Sequence, residues 1–189
     1  MTKDRKRLLT MARGGKAETG PLENPLDFIV EDHMREREVC ALIDNLVAAR
    51  PIKRAERQMI FSFLTEDLPQ HLADEEIDLF PLMLERCDPE EEIKSVIDKL
   101  ESDHAHAFAD APAIAALIQG VESGDAPLAE AVCAQLAEFA SHARRHLILE
   151  NAIILPIARA RLTKDDLRTM REHMLERRGL DDRQEAETC

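Results

Sequence analysis

The segment HLADEEIDLFP, from His71 to Pro81, returns seventy-five residues later as HLILENAIILP, from His146 to Pro156. Both copies read His-x-x-x-Glu and end in Pro. The frame also aligns Leu72 with Leu147, Leu79 with Ile154 and Phe80 with Leu155. A shorter match lies upstream of each copy, where Phe28 to His33 (FIVEDH) resembles Lys99 to His104 (KLESDH). A chain built this way has two similar halves, and each half must present its His and Glu to a common place.

Apolar spacing makes each half a pair of helices. Leu26, Ile29, Val30, Cys40, Ile43 and Val47 recur at helical intervals after Asn24-Pro25, giving a helix over about 25–49. Arg50-Pro51 breaks it. A second helix through Ile60, Phe63, Leu64, Leu68, Leu79 and Leu82 is expected to reach about Cys87. Asp88, Pro89 and the acids Glu90 to Glu92 then start a third, which runs through Ile97, Leu100, Phe108 and Ile114 to about Gly120 and bends near Pro112. Ser123 to Asp125 supply a turn. A fourth helix follows through Leu128, Val132, Leu136, Phe139, Ile153 and Ile157, and Thr163 to Asp166 form a capping box opening a short fifth. Pro81 and Pro156 are expected to kink or end their helices.

Short connections imply antiparallel neighbours, so the fold class expected is all-α, an up-down-up-down four-helix bundle with a short additional C-terminal helix. Composition agrees, with 44 % hydrophobic and 3 % aromatic residues and neither Trp nor Tyr among 189. The expected organisation is a basic disordered tail over 1–22, the bundle over 23–162, and the last helix and tail over 163–189. The tail carries six basic residues against one acid in its first sixteen, and in a sensor it could serve to recruit a protein partner.

A net charge of -13 opposes nucleic acid and anionic membranes, whose binders neutralise phosphate with Lys and Arg. No apolar run is long enough for a membrane span or secretory signal, so a cytoplasmic protein is expected. The sequence suits a monomer and a homodimer equally. Cys40, Cys87, Cys133 and Cys189 form no close pair, and Cys40 and Cys133 fall in apolar stripes as expected core residues.

Helix rise then locates the histidines. At 1.5 Å per residue, His33 and His71 lie about 24 and 27 Å from the loop between them, and His71 and His104 about 24 and 22 Å from theirs. His104 and His146 lie about 24 and 30 Å from the third loop, a difference of one turn. One His per helix therefore meets at one level, each within an apolar stripe. Glu75 and Glu150 follow one turn along on the faces of His71 and His146. Four imidazoles and two carboxylates converging in a core suit borderline first-row metal ions better than an all-oxygen Ca²⁺ site or a Cys-rich zinc site.

The ordered set His33, His71 with Glu75, His104, and His146 with Glu150 resembles the hemerythrin-like, or HHE cation-binding, family over about residues 25–160, in its four-His/two-Glu variant. The resemblance implies a four-helix bundle around a non-haem di-iron centre: two Fe ions with an oxo or hydroxo bridge, held by His33, His71, Glu75, His104, His146 and Glu150, with no catalytic residue beyond them. It implies reaction with, or sensing of, oxygen, peroxide or nitric oxide in oxidative or nitrosative stress or iron handling. A non-catalytic sensor or iron store is the alternative. Oxygen carriers of this family place His four residues after the third-helix ligand, where this chain has Phe108, and end the last motif in Asp. Reversible oxygen carriage is therefore not expected. A ferritin-like centre needs Glu-x-x-His twice, and only Glu101 to His104 provides it.

Three roles are open to His142, one turn before His146: an extra ligand, a donor orienting the site from behind, or a core residue. Glu36 and Arg37, one turn after His33, are either such orienting groups or a solvated pair. His106 points about 200° away from a His104 partner position and is expected in solvent. His173 is assigned no role.

Overall fold

Residues 20–120 and 128–180 are described in a computed structural model. The expected basic tail up to residue 19, the Ser123 to Asp125 turn, Cys189 and the last tail lie outside them. The described residues are helical, without strands.

Helix α1 spans Pro25–Val47. Asn24 caps it by accepting the Leu26 N–H at 3.0 Å, and Pro25 occupies the first turn, where its missing donor costs nothing. Helix α2 covers 54–86, as α-helical segments Arg54–Ser62, Leu68–Ala73 and Phe80–Arg86 joined by wider π-turns at Phe63–Asp67 and Asp74–Leu79. Helix α3 is Ile93–Gly120 and passes through Pro112 as one element. Helix α4 covers 130–161, with Glu130–Leu149 and Leu155–Arg161 joined by a π-turn at Glu150–Ile154. Helix α5, Lys164–Arg177, starts at a capping box between Thr163 and Asp166.

At Pro81 and Pro156, where a kink or an end is expected, each helix continues through a π-turn. The N–H groups of Leu68, Phe80 and Leu155 bond to carbonyls five residues back, on Phe63, Glu75 and Glu150, and the next residue is each time a proline: Pro69, Pro81 or Pro156. A proline ring crowds the carbonyl four residues earlier and brings no donor, so widening the preceding turn lets the helix continue. Glu75 and Glu150 sit in these widened turns.

The start of α3 also differs from expectation. Asp88 and Glu91 do form a capping box, but it closes a short 3-10 turn, Pro89–Glu91, held by Arg161. Glu92 then takes a left-handed conformation, φ 51°, and α3 begins after it. Leu22, in the segment read as tail, is 2 % exposed in the core.

Two apolar clusters fill the interior. One contains Val39 to Leu46, Ile60 to Leu72, Ala111 to Ile118 and Leu136 to Ala143; the other contains Leu22 to Ile29, Leu79 to Met83, Ile93 to Leu100 and Ile154 to Ala158, closed by Met170, Met174 and Leu175 of α5. Between them every long helix buries polar groups: His33 and Glu36 on α1, His71 and Glu75 on α2, Asp103 and His104 on α3, His146 and Glu150 on α4. Cys40 belongs to the first cluster, whereas Cys133, also expected in the core, is only half-buried. Among the described residues no helix is long and apolar enough to cross a membrane.

Leu136 has no exposed surface in the first cluster. Leu136→Ala is expected to cost about 2–5 kcal/mol in chemical denaturation with an unchanged m value. A loss below about 0.5 kcal/mol, as for a surface position, would contradict this packing.

Candidate metal centre

The helical stripes bring all six expected residues together. Nε2 of His33 lies 3.6 Å from Glu75 and 3.2 Å from Glu150. Nε2 of His71 is 3.5 Å from Glu75, and Nε2 of His146 is 3.1 Å from Glu150. His104 approaches Glu75 at 3.4 Å, Glu150 at 3.7 Å and Nε2 of His146 at 3.2 Å. The six resolve into two groups of four, His33, His71, Glu75, Glu150 and Glu75, His104, His146, Glu150, each with one ligand atom per residue within 4.8 Å of the others. Both carboxylates belong to both groups.

The cluster leaves polar atoms that a bound cation would satisfy. Among the described residues, the buried polar atoms without hydrogen-bond partners include Nε2 of His33, both ring nitrogens of His71, Nδ1 of His146 and all four carboxylate oxygens of Glu75 and Glu150. They are near enough to attract, yet not aligned with one another, which is the arrangement of donors converging on shared cations. Two imidazoles and two carboxylates per group could hold a borderline first-row metal ion.

The backs of the imidazoles are held by residues that spacing alone did not reveal. Nδ1 of His104 meets Glu76 at 2.9 Å, and Nδ1 of His33 meets the Asn151 amide at 2.9 Å. Glu76 and Asn151 occupy the same position in the two sequence copies, immediately after the glutamates, so extending the repeat by one residue would have found both. Asp32 lies 3.6 Å from Nδ1 of His71. Its counterpart Asp103 pairs instead with Lys99 and with His142 at 3.2 Å, leaving Nδ1 of His146 without a partner. The Glu76 carboxylate can fix the His104 ring and raise its basicity, whereas the Asn151 amide nitrogen, which also donates to the Leu147 carbonyl at 2.6 Å, only orients the His33 ring.

His142 is therefore in neither group of four, although it lines a narrow cavity beside His104 and His146. Glu36 and Arg37 separate: Glu36 is buried against the same cavity and Arg37 faces solvent. Burial raises the Glu36 carboxyl above its usual range despite nearby His71 and His146. His106 is exposed and bonds the Ser102 carbonyl at 2.6 Å. Phe108 is 64 % exposed, so it does not fill the place of the imidazole that oxygen carriers have there. His173, given no role by the sequence, pairs with Asp78 at 2.6 Å.

Burial penalises charging of His33 and His104, but Glu150 and Glu75 overcome it and raise each imidazole from 6.5 to about 10. Burial likewise opposes ionisation of the carboxylates, and the imidazoles outweigh it, holding Glu75 below and Glu150 well below the usual range. In the metal-free chain, protons thus take the place of cations. A folded-state pKa above the unfolded one gives stability that is complete below pH 6.5 and lost as pH rises through about 10. The thermal midpoint of metal-free protein is expected to fall across that window, while metal-loaded protein stays flat because the ion has displaced the protons. A metal-free midpoint that rises over the same window would contradict the assignment.

Residues 24–158 match the family model described as the hemerythrin HHE cation-binding domain. No curated protein and no solved structure matches the chain significantly. The match takes in all four helices that carry the cluster and most of the chain, and the protein belongs to the hemerythrin HHE cation-binding domain family.

Proposed function

We propose that the chain is a non-haem di-iron protein that reacts with or senses oxygen, peroxide or nitric oxide. The observation that carries this reading is the pair of four-residue groups sharing Glu75 and Glu150. His33 and His71 would hold one ion, His104 and His146 the other, with both carboxylates between them. Two imidazoles and two shared carboxylates do not fill the coordination shell of an iron ion, and the pair would supply redox chemistry toward a small ligand. The two apolar clusters meet the helices in alternating order, starting from the second on α1 and α3 and from the first on α2 and α4, which supports the up-down-up-down reading.

Ligand size follows from the cavity beside His104 and His146. Its walls include Leu68, Leu72, Phe139 and Ala143 as well as Glu36 and His142, and it has room for about one water. That suits a diatomic or peroxide better than an organic substrate. Glu36, held toward its protonated form, is placed to carry a proton in this cavity. A second reading, a non-catalytic sensor or iron store, is favoured by the ion pairs that tie the Glu75 turn to α5.

Anaerobically loaded protein is expected to hold close to two irons per chain. Glu75→Ala or Glu150→Ala should lose metal and thermal stability together, whereas His106→Ala should change neither. Iron retained by Glu150→Ala and lost from His106→Ala would overturn the ligand set. Repeated turnover of peroxide or nitric oxide by the loaded protein supports a reactive centre; a single stoichiometric reaction supports sensing.

A further inference from the structure

The two sequence copies differ in kind at two positions facing the interior. Where the second carries Leu149 and Ile153, packed against the apolar core, the first carries Asp74 and Asp78, on either side of Glu75 in its widened turn. Asp74 has no exposed surface and Asp78 only 5 %. The second copy reaches the cluster without these acids, and burying two carboxylates is costly unless cations answer them.

The cations come from α5 and the residue that ends it. Asp74 accepts from Nε of Arg177 at 2.8 Å and from both terminal nitrogens of Arg178, at 2.6 and 3.1 Å. Asp78 accepts from Arg177 and pairs with His173. Arg178 also lies over the Phe28 ring at 4.7 Å, with Arg35 at 5.7 Å from the same ring; Arg35 pairs with Asp32, beside Nδ1 of His71. Both routes lead to the group formed by His33, His71, Glu75 and Glu150. Docking alone does not call for this arrangement, because Met170, Met174 and Leu175 already sit in the core and Arg86 grips Asp166 with two bonds at 2.9 and 2.8 Å at the other end of α5.

We propose that Arg177 and Arg178 are positioning residues of the metal centre: by holding Asp74 and Asp78 they fix the turn that carries Glu75, and so couple docking of α5 to metal retention in the His33 and His71 group. This rests on the di-metal reading above. Linkage makes the effect reciprocal, so metal that favours the fixed turn also favours the docked helix. The state of the buried centre is thereby reported at the surface by α5.

The test uses the full chain, with hydrogen exchange and metal titration on wild type, Arg177→Gln/Arg178→Gln, and Arg86→Gln as a control that loosens the far end of α5. Metal is expected to slow exchange in α5 of the wild type. In the double variant the metal still protects α1 and α3 but no longer protects α5, and one of two binding steps weakens about tenfold to a hundredfold. Arg86→Gln keeps both the affinity and the metal-dependent protection. Wild-type α5 exchange that is indifferent to metal overturns the proposal even if the double variant does not fold. So does a folded double variant with wild-type affinity at both steps. A wild type that binds no pair of metal ions instead defeats the underlying reading, an outcome visible in the titration before any variant is compared.

Discussion

Four imidazoles and two carboxylates share one buried level of this bundle, and the rest of the structure is arranged around satisfying them. His33, His71, His104, Glu75 and Glu150 are almost wholly enclosed and His146 is 6 % exposed, so water cannot solvate them as it would at a surface. Left to themselves they can only share protons, which is what the raised His33 and His104 and the lowered Glu75 and Glu150 express. A pair of cations would answer all six at once. The layer also divides the core in two, and each long helix crosses from one apolar cluster through the polar level to the other.

The two halves bring similar side chains to this level but give them different surroundings. Glu76 and Asn151 hold equivalent imidazoles from equivalent positions, one as a carboxylate and one as an amide. Asp32 backs His71, whereas Asp103 is drawn to His142 and Lys99. The His33 and His71 side has Asp32 beside its His71 ring and, through the Glu75 turn, the ion pairs of α5. The His104 and His146 side borders the cavity.

The helices, the six converging residues and the exposed His106 were legible in the sequence because apolar spacing gives the helix faces and helix rise gives the height. The π-turns were not, since a proline signals an interrupted ladder without saying whether the helix stops or widens; Pro69, Pro81 and Pro156 all widen it. The α3 start was misjudged because the Asp88 and Glu91 box is satisfied within a single turn before Glu92 reverses the backbone. Phe108 shares a stripe with His104 by spacing, yet it faces solvent. Arg177 and Arg178 meet Asp74 from more than one hundred residues away, and no local pattern encodes that pairing.

X-ray absorption at the iron edge of the loaded protein tests the central claim most directly, because it sees the ions and their spacing without reference to activity. Glu75 and Glu150, each within reach of both groups, should hold two irons at about 4 Å or less, with a mixed nitrogen and oxygen shell and a resolved metal-to-metal vector. A single-ion shell with no such vector in fully loaded protein would contradict the account.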